Sequence, residues 1–414
     1  MKKIGDYTCY YHNDGGIATI DFNEGLEEIG DYAFASNIAL TTLKFPSSLK
    51  KIGNNAFSCY TEGNIQSVTF NEGLKIIGNY AFTGAYFKDT LTLPTTVTTI
   101  GAYCFANCTA ITKFVFPKSL TSLGSNAFAG ATGILSIDLD EGNTTFALKD
   151  DILYTKDMKT VVMCPSGRTE PVIIPEGTTK IGDYAFYMVD ECQKYTLPST
   201  LTAIGHDAFA LCYGLRSFTI PDSVLTIGSN CFDRDEKMAS IVFGKGIKTI
   251  PEYAFAECSS LTAIEIPSNI EHIEKEAFSG CSSLSSLTFN EGLKDIGDGA
   301  FYFYNSSSDE DVSVGTKAKL TSLVLPDSLT TLGKNCFASQ DALTDVTFGS
   351  GLTNIGVSAF ADCPLTSLSL SASNKKLSVE NNILYDYSKT KAIFSLPNLQ
   401  GSLNLPSTLT EIEP

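Results

Sequence analysis

The amino-acid sequence predicts an α/β repeat solenoid, in which short units of similar structure stack into a coil. Hexapeptides of the form IGxxAF recur along the chain, at 29–34, 77–82 and 181–186 among other places. The Ile or Leu that opens each hexapeptide returns after 23 residues in most cases. A fixed period of about 20 to 50 residues is typical of proteins whose units bury their apolar faces only against neighbouring units.

A single unit, "LTTLKFPSSLKKIGNNAF" at 40–57, predicts the local structure. Leu43 and Phe45 alternate with polar residues, as a half-buried strand requires. Pro46 ends this strand because it has no N–H for a further ladder bond. Ile52 points inward again, and the glycine after it permits a close backbone approach. The remaining "NNAF" is interpreted as one short helical turn.

Stacking is expected to pair these LxF strands into one long parallel sheet on the concave face, with short helical turns elsewhere. Sixteen such strands are expected, from 20–22 to 403–405. Because connections between parallel strands are right-handed by strong default, the superhelix is predicted to be right-handed. Within IGxxAF, the outer Ile, Gly, Ala and Phe are interpreted as structural, and the two middle positions are expected to vary freely.

The repeat is predicted to run through 1–414 as one solenoid domain with three departures from the period. Enlarged repeats at about 135–175 and 368–406 contain "ILYTKDMKTVVMCP" and "ILYDYSKTKAIFSLP", each interpreted as an inserted β-hairpin. An insertion at about 303–319 is rich in Ser and Asp and is interpreted as a surface loop. Because the first and last units are incomplete, we expect a fragment of a longer protein.

Charge and hydropathy restrict the possible partners. The net charge is −17 and the pI is near 4.6, which disfavours nucleic acids and anionic membrane surfaces. No apolar run is long enough to span a bilayer, so no membrane insertion is expected. The beginning, "MKKIGDYTCYYHN", lacks the apolar run of a signal peptide. Either the protein stays inside the cell, or its signal or anchor lies outside this sequence.

Most of the twelve cysteines follow the repeat. One slot per repeat along a stack favours a row of small buried thiols over disulfide pairs. There is no CxxC pair, and His12, His206 and His272 occupy unrelated repeat positions, so no metal or other cofactor is expected. Five cysteines lie three residues after the repeat Phe and three replace the Ala before it: Cys108, Cys212, Cys258, Cys281 and Cys363, then Cys104, Cys231 and Cys336.

The unit "LTAIEIPSNIEHIEKEAFSGCSS" at 261–283 and its neighbours resemble the BspA-like leucine-rich repeat family. The shared features are the proline after the strand, the AFxxC turn and the interrupting "ILY" hairpins, and they cover nearly the whole chain. Departures are the first unit, where Thr8 and Cys9 replace Ala and Phe, and the last, which stops just after Ile412. The resemblance implies a surface-exposed or secreted protein of a host-associated bacterium, with adhesion to host proteins or other cells in some members.

The residues do not indicate an active site, so we expect no enzyme. Asp138, Glu265 and Asp345 point outward from strands that are about 24 and 14 Å apart at ~4.8 Å per strand. A glycosidase needs two carboxylates about 5 to 9.5 Å apart. No GxSxG elbow or nucleotide-binding glycine pattern is present, and three histidines offer few general bases.

Candidate partner-binding residues lie where the repeat differs from itself. Ser and Thr dominate the outward sheet positions, and they suit an exposed parallel sheet as well as a binding face. The acidic loop is interpreted as solvated, with Ca²⁺ binding as the alternative. The candidates are Thr42, Lys44, Lys113, Asp138, Lys194, Glu265 and Asp345 on the sheet, Tyr154, Tyr385 and Tyr387 on the hairpins, and Asp309, Glu310 and Asp311 in the loop.

The sequence therefore predicts a non-catalytic, extracellular or cell-surface adhesion module that binds host or microbial proteins or glycans. It is expected to act as a monomer. Two alternatives remain open: an intracellular repeat scaffold, and an enzyme that acts on polysaccharides.

Overall fold

The structure is a computed structural model that describes residues 1–10, 16–59, 63–303, 318–397 and 402–412. Over these ranges the chain has 35 β-strands and no helix. In the described residues the repeats form turns of a β-solenoid with parallel strands, similar to a leucine-rich repeat. Contacts divide the chain into two compact units, Met1–Glu170 with Gly177–Cys192, and Pro171–Glu176 with Gln193–Pro414. Continuity of one domain from 1 to 414, its concavity and its handedness stay predictions.

One row of strands, the long-strand row, lies at the predicted LxF positions except 20–22 and 403–405. In the described residues these strands pair in parallel groups of two or three, whereas one continuous sheet was expected. They are β3 (Thr42–Lys44), β5 (Ser67–Thr69), β7 (Asp89–Thr92), β9 (Ile111–Phe116), β11 (Ser136–Leu139), β15 (Val172–Ile173), β17 (Tyr195–Thr196), β19 (Ser217–Thr219), β21 (Ser240–Val242), β23 (Ala263–Ile266), β25 (Ser286–Phe289), β27 (Ser322–Val324), β29 (Asp345–Phe348) and β31 (Ser367–Leu370).

A second row, the short-strand row, was not predicted from the sequence. Each strand has two residues and ends at the Ile or Leu that opens a hexapeptide, and that residue is buried in most of them. The strands are β1 (Lys3–Ile4), β2 (Glu28–Ile29), β4 (Lys51–Ile52), β6 (Ile76–Ile77), β8 (Thr99–Ile100), β10 (Ser122–Leu123), β16 (Lys180–Ile181), β18 (Ala203–Ile204), β20 (Thr226–Ile227), β22 (Thr249–Ile250), β24 (His272–Ile273), β26 (Asp295–Ile296), β28 (Thr331–Leu332), β30 (Asn354–Ile355) and β35 (Glu411–Ile412).

Both predicted hairpins are present, and each has a third strand. Their strands pair antiparallel: β12 (Phe146–Lys149), β13 (Ile152–Thr155) and β14 (Thr160–Met163), then β32 (Leu377–Glu380), β33 (Ile383–Asp386) and β34 (Lys391–Ser395). The last strand of each set joins the short-strand row, because β14 pairs in parallel with β16 and β34 with β35. A hairpin repeat therefore supplies a short-row strand without an IGxxAF turn after it.

The segments that follow the short strands are turns, so the prediction of short helical turns is wrong. Tyr32 and Ser36 have φ values of 55° and 63°, in the left-handed region that an α-helix does not use. Alternate N–H groups bond to the next repeat, and they are therefore unavailable for bonds four residues back. This turn ladder joins the N–H groups of Tyr32, Phe34 and Ser36 to the carbonyl oxygens of Asn54, Ala56 and Ser58, each at 2.8 Å.

The two middle positions of the hexapeptide differ in how freely they vary. Where the first is Asn or Asp, its side chain connects repeats: Asn54 Oδ1 accepts the Asn79 N–H at 2.8 Å, and Asn79 Oδ1 accepts the Ala102 N–H at 2.8 Å. The second is held at positive φ, as at Tyr80 and Asn126. Free variation was therefore the wrong expectation for the second position, because backbone geometry restricts it.

The core of each of the two compact units is a row of stacked phenylalanines, one from each IGxxAF turn. In the first unit the centroids of Phe34, Phe57, Phe82, Phe105 and Phe128 follow one another at 5.4, 5.5, 5.8 and 5.5 Å. Glycine after most of the short strands permits this spacing. A Cβ added to the glycine at 78 would lie only 2.6 Å from the carbonyl carbon of the glycine at 53.

Candidate partner-binding surface

The outward face of the long-strand row displays most of the predicted binding residues. On β3 the side chain of Leu43 is buried, whereas Thr42 and Lys44 are exposed. The register places Thr42 beside Ser67 of β5, and the Ser67 hydroxyl donates a hydrogen bond of 3.2 Å to the Thr42 hydroxyl oxygen. Residues at equivalent repeat positions therefore lie side by side across neighbouring strands.

Lys113 and Asp138 form an ion pair on this face. Lys113 lies on β9 and Asp138 on the neighbouring β11, with Lys113 Nζ 2.5 Å from Asp138 Oδ2. Both side chains are more than a third exposed. Because exposed pairs contribute at most about 1 kcal/mol to stability, this pair can separate at little cost when a partner offers charges.

The two predicted carboxylates of the second unit have polar neighbours. Glu265 accepts a hydrogen bond of 3.1 Å from the side-chain amide of Asn290. Asp345 accepts hydrogen bonds of 2.6 Å from the hydroxyls of Ser367 and Thr344, and these bonds lower the pKa of Asp345. Glu265 lies on β23, which pairs with β25, whereas Asp345 lies on β29, which pairs with β27 and β31. The two carboxylates are thus on strands that are not neighbours.

Apolar side chains also lie on the outward face of the second unit. Val242 and Val324 are 57% and 65% exposed, although valine is usually buried. Valine at an outward position is the sequence signal for this patch. Lys194 is exposed just before β17, and its backbone carbonyl accepts a 2.9 Å hydrogen bond from the Val172 N–H. The outward face is therefore mixed in character, not purely polar.

A groove of about 640 Å³ adjoins Val324, where β25 and β27 belong to separate sheets. Leu287, Phe289 and Pro326 contribute its apolar lining, and Glu291 lies at its side. Glu291 is not free to bind, because its carboxylate accepts the N–H groups of residues 327 and 328 at 2.9 Å each. The sequence did not predict this groove, because its position depends on where the long-strand row is interrupted.

Two of the three hairpin tyrosines do not lie on the surface. Tyr154 and Tyr385 are 1% and 0% exposed, because each belongs to the middle strand of a three-stranded set. Their selection as partner-binding residues was therefore wrong, and their rings are core residues. Tyr387 lies just after β33 and is 64% exposed. It remains a candidate.

The acidic loop residues Asp309, Glu310 and Asp311 lie outside the described residues, as does His12. Across the described ranges, no group of three or more His, Cys, Asp or Glu side chains is arranged to hold a metal ion. Nothing helical in those ranges has the length and apolar character of a membrane span.

The repeated cysteine slots are buried, as the row of small thiols requires. The thiols of Cys108 and Cys258 donate to the carbonyl oxygens of Phe82 and Phe232 at 3.3 and 3.1 Å. Burial raises the pKa of both thiols well above the ordinary value. They are therefore protonated at neutral pH, and a protonated thiol is a poor nucleophile.

Asp235 occupies a cysteine slot in the second unit and was not identified from the sequence. Its Oδ1 accepts the Cys212 N–H at 2.7 Å, whereas its Oδ2 is buried and has no hydrogen-bond partner among the described residues. Burial raises the pKa of Asp235 well above the ordinary value, and burial also raises that of Asp233 to about 6. The signal was "FDRD" after Asn230 and Cys231, where a carboxyl group replaces the usual small residue.

Comparison with known proteins places these features in one family. The model of the BspA type leucine rich repeat region matches in six copies, over residues 2–135, 58–170, 158–262 and 314–413. No curated protein matches this chain.

Several solved structures are similar to this chain. A leucine-rich repeat protein from Eubacterium ventriosum is 26% identical over 83% of this chain and 82% of its own, with a TM-score of 0.67. A leucine rich cell surface protein from Faecalibacterium prausnitzii is 25% identical over 83% and 82%, with a TM-score of 0.51. A leucine-rich repeat protein from Bacteroides ovatus, 21% identical over 87% and 84% with a TM-score of 0.52, shares the fold.

Proposed function

The chain belongs to the BspA-type leucine-rich repeat family, and on this premise we propose that it is a non-catalytic module that binds protein or glycan partners at the cell surface. The observation that supports this proposal most is the outward face of the long-strand row. It displays exposed hydroxyl, charged and apolar side chains on short parallel strands. Extended surfaces of this kind are what repeat proteins use for recognition.

The chemistry of the face favours recognition over catalysis. Hydroxyl pairs such as Ser67 with Thr42, and the ion pair of Lys113 with Asp138, can exchange hydrogen bonds with peptide or sugar groups. In the second unit, Val242 and Val324 add apolar contact area beside the exposed side chains of Ser240 and Ser322 on the same strands. An interface that combines an apolar centre with polar surroundings is typical of protein partners.

Support for a cell-surface location comes from one relative. The Faecalibacterium prausnitzii protein, described as a cell surface protein, is 25% identical over four fifths of both chains. We place this chain in the same setting, either anchored at the surface or secreted. A cytoplasmic location in the source cell, found by fractionation, would favour the intracellular scaffold instead.

The direct experiment is a binding screen with immobilised glycans and purified extracellular-matrix proteins. A face variant would combine Thr219→Arg, Val242→Arg and Val324→Arg, all exposed on the long-strand row. The matched control would combine Thr202→Arg, Leu225→Arg and Thr330→Arg, exposed residues that precede short-row strands and change the charge equally.

The face variant is expected to bind its partner at least about tenfold more weakly, which is about 1.4 kcal/mol, and the control is expected to bind as the parent does. Equal loss in both variants would place the binding surface elsewhere. Hydrolysis of a polysaccharide by the parent chain, with no binding partner in the screen, would favour the enzyme alternative.

A further inference from the structure

Among the described residues the turn ladder stops at the turns 123–130 and 355–362, and each of these turns is next to a hairpin repeat. In the regular ladder, the turn at 100–107 donates to the turn at 123–130. The N–H groups of Tyr103, Phe105 and Asn107 reach carbonyl oxygens of that turn at 3.2, 2.7 and 2.7 Å. The next repeat contains the hairpin strand β14 and has no IGxxAF turn, so the ladder has no successor there.

Three backbone donors are left without an acceptor at this position. They are the N–H groups of Asn126, Phe128 and Gly130, which occupy the same places in their turn as residues 103, 105 and 107 in the turn before. Within the part of the chain that the structure describes, none of the three has a hydrogen-bond partner. Phe128 and Gly130 are buried residues and Asn126 is half-buried. The great majority of buried backbone N–H groups in native proteins are paired with protein or water, so this row needs an explanation.

A cavity of about 210 Å³ lies where the missing turn would stand. We call it the turn slot, and its walls are the segments 123–129, 160–164 and 182–184, together with Ser166 and Tyr187. Part of the missing layer is replaced: the Cys164 N–H donates to the Ala185 carbonyl at 2.8 Å, and Met163 lines the cavity. The remaining volume corresponds to about seven waters at ~30 Å³ each, or to a short stretch of one peptide chain.

The polar side chain in the slot is also incompletely bonded. Asn126 Nδ2 donates to the Tyr103 hydroxyl at 2.8 Å, whereas Asn126 Oδ1 is buried with no partner in the described residues. The slot therefore offers a row of backbone donors with a side-chain acceptor beside them. A polypeptide backbone, which has a carbonyl and an N–H in every residue, is complementary to such a set.

The second hairpin repeats this arrangement in the second unit. The turn at 355–362 has no successor, because β34 lies in the next layer. A cavity of about 290 Å³ lies between residues 355–361 and 393–395. Among the described residues, the N–H groups of Ser358, Phe360 and Asp362 have no acceptor, in contrast to those of Asn335 and Phe337 one turn earlier, which bond to carbonyls at 3.2 and 2.8 Å. The arrangement recurs at both hairpin repeats, so the slot follows from the hairpin insertion.

We propose that the turn slot binds an extended segment of a protein partner, whose carbonyls on alternate residues accept from Asn126, Phe128 and Gly130. The donors are on alternate residues, whereas anion-binding nests use successive N–H groups, so the pattern favours a peptide over a phosphate or carboxylate. One missing layer is about 4.8 Å thick, the spacing of neighbouring strands, which admits a single chain. Addition of a peptide to unpaired backbone groups is an established mode of recognition. This inference rests on the proposed function, and it adds the turn slot as a second site of contact with a protein partner.

The experiment measures amide hydrogen exchange by NMR with the full chain and a heptapeptide of sequence IGNYAFT, capped at both ends. This is the chain's own segment 77–83, whose carbonyls at Asn79 and Ala81 accept from the preceding turn. The control peptide has ester linkages after those two residues, because an ester carbonyl is a weaker acceptor. In the free protein, amides 126, 128 and 130 should exchange at least about tenfold faster than amides 103, 105 and 107.

Millimolar amide peptide should slow exchange at 126, 128 and 130 by about tenfold, and the ester peptide should not. No slowing by either peptide would overturn the proposal and leave a slot that holds only water. Slow exchange in the free protein would also overturn it, since the donors would then be satisfied within the chain.

A blocking variant tests the location. Ala129 lines the slot and is partly exposed, so Ala129→Trp should abolish the protection by the peptide, whereas Ala129→Ser should retain it. The arginine variant of the outward face should keep the peptide response. Loss of peptide protection in that variant but not in Ala129→Trp would place the peptide on the outward face and overturn the slot.

Discussion

Phe255 shows at the scale of one residue how the repeats hold together. Its ring is fully buried and stacks between Phe232 and Phe278 with centroids 5.1 and 5.2 Å away, and the ring of Phe243 meets it edge-on at 5.6 Å. Each such ring contacts the repeats before and after it. The stack therefore joins residues 23 positions apart as closely as a helix joins residues four apart.

Phe255→Ala is expected to lower the free energy of unfolding by about 3 to 5 kcal/mol, because it removes a ring and leaves a cavity between two rigid neighbours. Urea denaturation followed by tyrosine fluorescence measures this change. Leu225→Ala is the control, because Leu225 is largely exposed. A loss below about 1 kcal/mol for Phe255→Ala would contradict the stacked core.

We predict that Asp235 lowers the stability of the folded chain as the pH rises, which is opposite in sign to acid denaturation. Burial raises its pKa in the folded chain, so between about pH 4 and that raised pKa the unfolded state releases a proton that the folded state keeps. Its contribution to stability is therefore present at low pH and is lost as the pH rises. Asp235→Asn keeps an oxygen for the Cys212 N–H and removes the titration.

At pH 7, Asp235→Asn is expected to be more stable than the parent by about 1 to 3 kcal/mol, and the difference should shrink toward pH 4. Thermal unfolding measured at both pH values provides the comparison. Thr219→Ala, which changes an exposed side chain without a titrating group, should show no such trend. A gain that is equal at both pH values would exclude titration of Asp235 as its cause.

The turn is the element that the sequence interpretation misjudged. "NNAF" has good spacing for a helical turn, but whether its N–H groups bond locally or to the next repeat depends on a segment 23 residues away. The position held at positive φ could have been recognised, because Asn, Asp and Gly recur at it in several repeats. Tyr80 and Tyr103 occupy the same position and conceal this pattern. Those two rings stack at 4.8 Å, which helps to hold them at positive φ.

Asn335 tests this turn geometry. It is exposed at a φ of 52°, and the glycine at 299 occupies the equivalent position at 62°. Asn335→Val is expected to cost about 1 to 3 kcal/mol, since a β-branched residue is strongly disfavoured there. Asn335→Gly, the matched control, should stay within about 0.5 kcal/mol of the parent. Equal stability of both variants in thermal unfolding would show that the turn is not held at positive φ.

The strands were easier to predict than the turns, but alternation did not predict burial in every strand. Alternation at Thr42, Leu43 and Lys44 fixes which side chain is buried, and the structure agrees. The same reasoning failed for Tyr154, because a middle strand flanked on both edges can be buried on consecutive residues, here from Ile152 onward. The additional strand β12 has no marked sequence signal. Its pairing with β13 decides whether Tyr154 lies in the core or on the surface.

At the scale of the whole chain, the net charge of −17 opposes the folded state. Packing like charges into a compact structure costs free energy, and salt screens it over a Debye length of about 10 Å at 0.1 M. The ion pairs found among the described residues, such as Lys50 with Glu27, are largely exposed and contribute little. Repulsion should therefore decide how stability depends on salt.

The melting temperature is expected to rise by a few degrees, about 2 to 4 °C per kcal/mol, between low salt and about 0.15 M sodium chloride. Differential scanning calorimetry at neutral pH measures it, with sodium sulfate avoided because it strengthens apolar burial by itself. A melting temperature that falls with added salt would mean that ion pairs outweigh repulsion.

The candidate partner-binding surface was the least predictable part of this protein. Exposure of Thr42, Lys44 and Glu265 follows from alternation along one strand. The turn slot follows from a segment that is missing from a repeat, and a missing segment can be recognised only after the hydrogen bonds of its neighbours are known.

The turn ladder has a consequence for how such chains diversify. Since every rung joins backbone atoms, the ladder itself depends little on side-chain identity when a whole 23-residue unit is duplicated or deleted. The hairpin layers are different, because the rungs stop there at Phe128 and Phe360. Exchange of blocks between related genes at these two layers would therefore break fewer ladder bonds than exchange within the regular ladder.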